Sequence, residues 1–561
     1  MTAPDLPAGR LLAAACSAAM LLCAAHPHPA SADTLIANVN GMRFDRDGDV
    51  ERFAAMLIDD DGRVAKLYQR RDRLPKDVDY RLDGDGRVLI PSFIDSHVHL
   101  IDTGLAAMIL DLSDTATLAE AQAKIADYAA QYPNRSWIIG RGWNQEKWGL
   151  GRFPTAADLD AAVGDRPAWM MRADGHAGWA NSAAIAAAGV TAETADPDGG
   201  RILRGDGDAP AGVFVDNAMD SIASLVPEPR PEERALALQK AQQMLLAHGI
   251  TAVADMGTTF DGWQALRRAG DKGQLRIRVM GYAAGLDEMV TIAGAEPTPW
   301  LYGDRLHLGG VKLYLDGALG SRGAWLLDDY ADAPGERGLP LKSGTQLRNL
   351  MSRAAMAGFQ PAVHAIGDAA NREVLDAIAE LRETYEGDRR WRIEHAQIID
   401  PVDLPRFAQL DAIASVQPIH QTSDRPMAEA RLGPDRLLGA YAWNSLIENG
   451  TPVAFGSDSP VEPVDVWAGI AAAVTRQDAA GQPFGGWMPQ ERISREQALA
   501  GFTAAGAYAG KAEGRFGSLA PGEWADFLFV SADPLMVPES ELRDVEVEET
   551  WLAGARVFGG D

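Results

Sequence analysis

Two histidines, His97 and His99, stand one residue apart in the stretch PSFIDSHVHL, residues 91–100. Ile94, Val98 and Leu100 give that stretch the pattern of a strand entering a core. Side chains alternate across a strand, so positions i and i+2 share a face. The two imidazoles therefore converge, while Ser96 and Val98 point the other way. Imidazole binds zinc and related ions well, so the pair reads either as two metal ligands or as two polar residues on a solvated face. Ligands elsewhere must decide. Lys312 lies in GGVKLYLDGALGSRGA, His364 in PAVHAIGD, His395 in WRIEHAQII and Asp458 in VAFGSDSP, each in or just beyond an apolar run. The chain has ten histidines, two of them within the first 32 residues, and four of the rest fall in this set. His248 and His307 precede apolar runs instead of closing them and read as structural.

Groups this far apart in the chain meet only if the ends of their strands meet. Strand-like runs at 88–93, 251–255, 275–282, 310–314, 360–364, 391–395, 412–417 and 452–456 alternate with helical segments such as PEERALALQKAQQMLLAHG. That alternation predicts an α/β fold, a (β/α)8 TIM barrel over residues 91–505, whose catalytic groups gather at the C-terminal ends of the strands. The gap after the first strand is too long for one helix, so residues from about 104 to 230 must be an insertion, rich in Gly, Asp and Trp. Residues 33–90 and 506–561 read as short strands and turns, forming a small composite β-sandwich from both termini. The turn DGDGR lacks the closing glutamate of a calcium loop.

Residues 1–32 have a different character. Arg10 precedes an apolar run from Leu11 to Ala25, and Ala30-Ser31-Ala32 fits a small-x-small cleavage site before Asp33. The expectation is a cleaved signal peptide and a periplasmic or secreted protein, with a lipoprotein signal at Cys16 or Cys23 the lesser alternative. Both cysteines lie in that segment, so no disulfide or cysteine nucleophile is expected beyond it. The net charge of −27 argues against nucleic acid as a partner. No later run is long and apolar enough to span a membrane, and the oligomeric state is not legible.

The motifs FIDSHVHL, DGHAGWANS, GGVKLYLDGALGSRGA, VHAIGDAAN, RIEHAQ, FGSDSPV and GSLAPGEWADFLFV resemble the amidohydrolase superfamily. Within it they resemble family 3, metal-dependent hydrolases of the N-substituted formamide deformylase-like kind. The resemblance covers nearly all of the chain after residue 32. It implies a barrel with one or two divalent ions, zinc foremost. His97, His99 and Asp458 match ligands of one ion, and His364 and His395 match ligands of a second. Lys312 matches a lysine that in many members is carbamylated by carbon dioxide and bridges the two. A divalent ion lowers the pKa of its water toward ~7, and Asp458 is placed to relay a proton as general base and then acid. His176, in the insertion, is a candidate for contact with the substrate carbonyl or oxyanion. Asp316 and Arg322 either orient a substrate carboxylate or belong to a structural ion pair. Trp143, Trp148 and Trp179 either line an apolar pocket or are core.

The reaction expected is hydrolysis of a C–N, amide-type bond in a small N-acyl or N-formyl compound by metal-activated hydroxide. Ester, lactone or phosphotriester hydrolysis by the same centre is the alternative. A catalytically dead binding protein is disfavoured because no ligand position is lost.

Overall fold

The computed structural model describes residues 33–560; the expected leader lies outside the described residues. Eight parallel strands form the central sheet in chain order: β1 (Phe93–Val98), β2 (Ile250–Thr258), β3 (Arg278–Ala283), β4 (Leu306–Tyr314), β5 (Gln360–Ala365), β6 (Arg392–His395), β7 (Ile413–Val416) and β8 (Val453–Phe455). Every residue of β1, β3 and β5 is buried, because a parallel sheet covered by helices has no wet face. That is why these strands are apolar runs in the sequence. Helices Gly344–Met356 and Arg495–Gly501 start at Ser343 and Ser494, each closing a capping box with a glutamine three residues on. Helix Leu100–Ala106 crosses helix Pro231–Ala247 at Gly104, where any Cβ would collide with the Ala237 carbonyl.

The barrel nearly closes. Strands β8 and β1 stand at the two ends of the hydrogen-bonded order, and individual bonds join them at the C-terminal mouth. Asp458 N–H donates to the His97 carbonyl at 2.7 Å, and His99 N–H to the Ser459 carbonyl at 2.8 Å. The Asp95 carboxylate accepts from the backbone of His97 and from both N–H and Oγ–H of Ser457. Gly456 lets the two chains approach: a Cβ there would lie 2.5 Å from the His97 nitrogen.

Strands from both termini form a second sheet, in the order Ala555–Gly559, Val547–Leu552, Phe527–Val530, Val88–Pro91, Thr34–Phe44, Val50–Ile58, Val64–Tyr68, with Tyr80–Asp83 also on Thr34–Phe44. Its interior packs Ile36, Met56, Val64, Leu89, Phe527 and Phe529. The apolar run expected to be the first barrel strand, 88–93, divides here. Val88–Pro91 pairs with Phe527–Val530, Ser92 N–H is taken by the Asp526 carbonyl, and the barrel begins at Phe93. The segment after β1 builds a six-stranded sheet of its own, in the order Gly200–Arg204, Pro210–Asp216, Ala177–Ala180, Ala168–Arg172, Ile138–Trp143, Leu110–Asp111. Among the described residues no helix is long and apolar enough to cross a membrane.

One ion pair ties the terminal sheet to the floor of the barrel. Arg278 in β3 is fully buried and forks onto Asp526 at 2.6 and 2.9 Å, while Asp526 also accepts from Ala553 N–H. Removing one partner of such a pair strands a buried charge, which costs about 3–5 kcal/mol. Asp526→Ala should therefore lower the urea midpoint of unfolding by a corresponding amount. An unchanged midpoint would show that the two units are not coupled through this pair.

Candidate metal centre

His97, at the end of β1, is fully buried and its Nδ1 lies 2.7 Å from Glu394 Oε2. Glu394 in turn accepts two bonds from the Arg392 guanidinium. The carboxylate fixes the ring with Nδ1–H toward Glu394 and the Nε2 lone pair toward Asp458, as an orienting acceptor does for a metal-bound imidazole. Asp458 Oδ1 sits 3.4 Å from His97 Nε2 and 3.3 Å from His99 Nε2. These separations are too long for hydrogen bonds. They match two donor atoms ~2.0–2.1 Å from a shared tetrahedral ion, which stand ~3.3–3.4 Å apart. Asp458 Oδ1 is buried without a hydrogen-bond partner. The donor set and the orphaned oxygen both fit a divalent cation.

Lys312, on β4, is buried, and its Nζ lies 3.1 Å from His97 Nε2. Among the described residues it forms no ion pair. Burial pushes its ammonium down to about 8, against the pull of Glu394 and Asp458. Burial also holds His97, His364 and His395 well below the usual imidazole range, so they are neutral, as ligands must be. Burial works to raise the Asp458 carboxyl, but the imidazoles of His97 and His99 outweigh it and keep it ionised. The rings of His364 and His395 stand 4.5 Å apart, and those of His97 and His395 4.6 Å apart. His395 Nδ1 is held by Gln417 Oε1 at 2.8 Å.

The centre faces a cavity of about 570 Å³, lined by His99, Lys312, His364, His395, Asp458 and His176 among others. The insertion delivers His176 on the turn between two of its strands, where Asp216 Oδ1 holds Nδ1 at 2.7 Å. Burial would lower this imidazole, but the Asp216 hydrogen bond prevails and raises it. Two readings left open resolve away from the cavity. Asp316 and Arg322 do not line the cavity. Asp316 is fully buried and accepts from the backbone N–H groups of Trp325, Ile366 and Gly367, with His364 Nε2 3.6 Å away; Arg322 pairs with Asp332 at 2.9 Å. Trp143, Trp148 and Trp179 are core of the insertion and contact one another; the cavity tryptophan is Trp169.

Sequence reasoning missed Glu394, Asp216 and His420. His420 follows β7 in SVQPIHQ, on the catalytic side of the barrel, and that position was its signal. Glu394 is hidden by strand alternation, which puts it opposite His395. Glu394 shares the inner face with Arg392; the backbone of His395 is left-handed, with φ of 74°, and this break brings the His395 side chain inside as well.

Residues 82–558 match the model of the Amidohydrolase family. The chain belongs to that family. Protein LONG AFTER FAR-RED 3 of Arabidopsis thaliana is 34% identical over 521 residues, covering 90% of this chain and 88% of the relative. N-substituted formamide deformylase of Arthrobacter pascens is 28% identical, covering 84% of this chain and 89% of that one. A crystal structure of an uncharacterized metal-dependent hydrolase from Pyrococcus horikoshii OT3 superposes with a TM-score of 0.72 at 25% identity, over 90% of this chain and 99% of the other. This amidohydrolase family member is a metal-dependent hydrolase with a TIM-barrel fold.

Loss of an orienting carboxylate behind a metal-binding histidine costs ~10–100-fold in metal affinity. Glu394→Gln should weaken binding of the first zinc by that factor in a competition titration with a chromophoric chelator. Equal affinity in the two proteins would remove Glu394 from the centre.

Proposed function

We propose that this chain hydrolyses the C–N bond of a small N-acyl or N-formyl amide. The observation that carries the reading is Asp458. It is an ionised carboxylate facing two imidazoles at ligand spacing, at the base of a cavity that also presents a hydrogen-bonded histidine. His97, His99 and Asp458 would hold one divalent ion, and Lys312, His364 and His395 would face a second. When bound, the ion, zinc by the chemistry of the ligands, supplies a Lewis acid that makes water nucleophilic near neutral pH and polarises the carbonyl. Asp458 accepts the proton of the attacking water and passes it to the departing nitrogen, which cannot leave as an anion. His176, oriented by Asp216, reaches the substrate oxygen from across the cavity. Leu105, Ile139, Trp169 and Met171 supply an apolar wall for the acyl group or N-substituent. The deformylase relative, by its name, acts on an N-substituted formamide, and that supports the choice of amide over ester.

Lys312 is the group best placed for carbamylation, since it is a buried amine beside His97 whose burial favours the neutral form. A carbamate there would replace a cationic side chain by an anionic oxygen ligand facing the same centre. The leader-like residues 1–32 support export, and N-terminal sequencing of the secreted protein should begin at Asp33.

Dialysis against a chelator should abolish turnover, and added zinc should restore it; a metal-free protein that stays active sinks the mechanism. In a panel of matched substrates, kcat/KM for N-formyl and N-acyl amines should exceed that for esters, lactones and phosphotriesters. A higher value for any of these would transfer the assignment to that class.

Lys312→Ala should lose an ion and most activity, with partial rescue by formate or bicarbonate, which can fill the bridging space. A variant that keeps the full metal content of the native protein excludes the bridge.

A further inference from the structure

The segment after β7 carries a histidine that the proposed reaction leaves unused. His420 is buried and its Nε2 has no hydrogen-bond partner. It faces the cavity and lies 3.8 Å from Asp458 Oδ2.

The orientation of Gln397 bears on which ring nitrogen is free. His420 Nδ1 lies 3.0 Å from the side-chain amide of Gln397, whose oxygen and nitrogen exchange places by a half-turn. In the structure the Gln397 nitrogen is the atom beside His420 Nδ1 and its oxygen is the atom beside Tyr441. The Tyr441 hydroxyl gives its one proton to Asp424 Oδ2 at 2.6 Å, so it has none for the Gln397 oxygen 3.5 Å away, and a half-turn of the amide removes this mismatch. The Gln397 carbonyl oxygen would then accept from His420 Nδ1–H and leave the Nε2 lone pair in the cavity. Two other rings are set the same way, His97 by Glu394 and His395 by Gln417. An acceptor at Nδ1 that frees Nε2 is how proteins prepare an imidazole to bind a metal.

Asp458 completes the pattern. Its Oδ1 faces His97 and His99, and its Oδ2 lies 3.8 Å from His420 Nε2. That distance exceeds a hydrogen bond; His395 brings Nδ1, the nitrogen that Gln417 holds, to 3.9 Å from the same oxygen. His395, His420 and Asp458 present donor atoms within 4.8 Å of one another. His364 Nε2, also without a hydrogen-bond partner, lies 3.6 Å from Asp316 Oδ1.

We propose that His420 is a ligand of a second divalent cation, held together with Asp458 and His395. The proposal rests on the metal-dependent reading above and adds a ligand to it.

The test is a cobalt(II) titration of the chelator-stripped full chain, followed by calorimetry and visible absorption, with bound metal counted by mass spectrometry. His420→Ala should bind one ion fewer than the wild type, or bind one of its ions at least ~100-fold more weakly, while the ion at His97 and His99 remains. Unchanged count and affinity in His420→Ala overturn the proposal and leave the metal-dependent reading intact. A wild type that takes up no cobalt overturns that reading itself. Should His420→Ala fail to fold, Gln397→Met serves in its place. It removes only the acceptor at Nδ1 and should weaken the same ion by ~10–100-fold; equal affinity there also overturns the assignment.

Discussion

The interaction on which the centre depends is the bond between Glu394 and His97, made in the middle of the barrel where no water competes. Glu394 is a fully buried carboxylate, and an isolated charge at that depth would not remain ionised. Arg392, two residues earlier on β6, supplies the counter-charge at 2.8 Å. The same guanidinium donates to the Ser96 carbonyl on β1, to Ser415 on β7 and to the Tyr282 hydroxyl on β3. Tyr282 continues to Gln360 on β5. One network thus links five strands, and its polar atoms are partnered at each step, the condition under which a buried ion pair persists. The network leaves one oxygen of Glu394 to hold His97, so the packing of the interior and the orientation of the first ligand are set together.

Above that network the barrel has to be closed, and the closing residues are themselves candidate ligands. The peptide groups of His97 and Asp458 bond to each other across the seam, and His99 bonds to Ser459. Asp458 sits in the left-handed region, φ 58°, a conformation an L-residue adopts only where its surroundings over-determine it. The gap between β8 and β1 is thereby held open by enough to admit a cation between the imidazoles and the carboxylate. Distortion at this seam would move ligands from both of its sides at once.

The insertion contributes in a different way. Its sheet has its own cores, around Trp143 and Trp179 and around Trp169 and Phe214, so it can present a side chain rigidly without borrowing the packing of the barrel. The pairing of Ala177 with Val215 sets His176 beside Asp216. Gly317 and Gly323, in the segment after β4, leave room for the Asp216 carboxylate, which any Cβ at either position would strike. Barrel and insertion meet at this carboxylate, and the ring it holds lies 5.0 Å from that of His364.

Much of this was legible in the sequence, because the parts concerned are governed by local pattern. Apolar runs alternating with amphipathic segments specify a parallel barrel wherever both faces of the strands are dry. A pair of histidines at i and i+2 must converge on one side of a strand. The positions of His364, His395, Lys312 and Asp458 in or just beyond such runs follow from the same rule. The tertiary structure alone decided the rest, where chain geometry departs from the regular pattern or where partners come from distant segments. The first apolar run divides between two sheets because Asp526, more than four hundred residues away in sequence, takes the N–H of Ser92. His395 joins Glu394 in the interior because the backbone at His395 leaves the strand conformation. Asp316 and Arg322 turn from the cavity because backbone N–H groups and Asp332 compete for them. His420 comes within 3.8 Å of Asp458 because β7 and β8 stand side by side. No periodicity records these outcomes, since each depends on which donors and acceptors folding brings within ~3 Å.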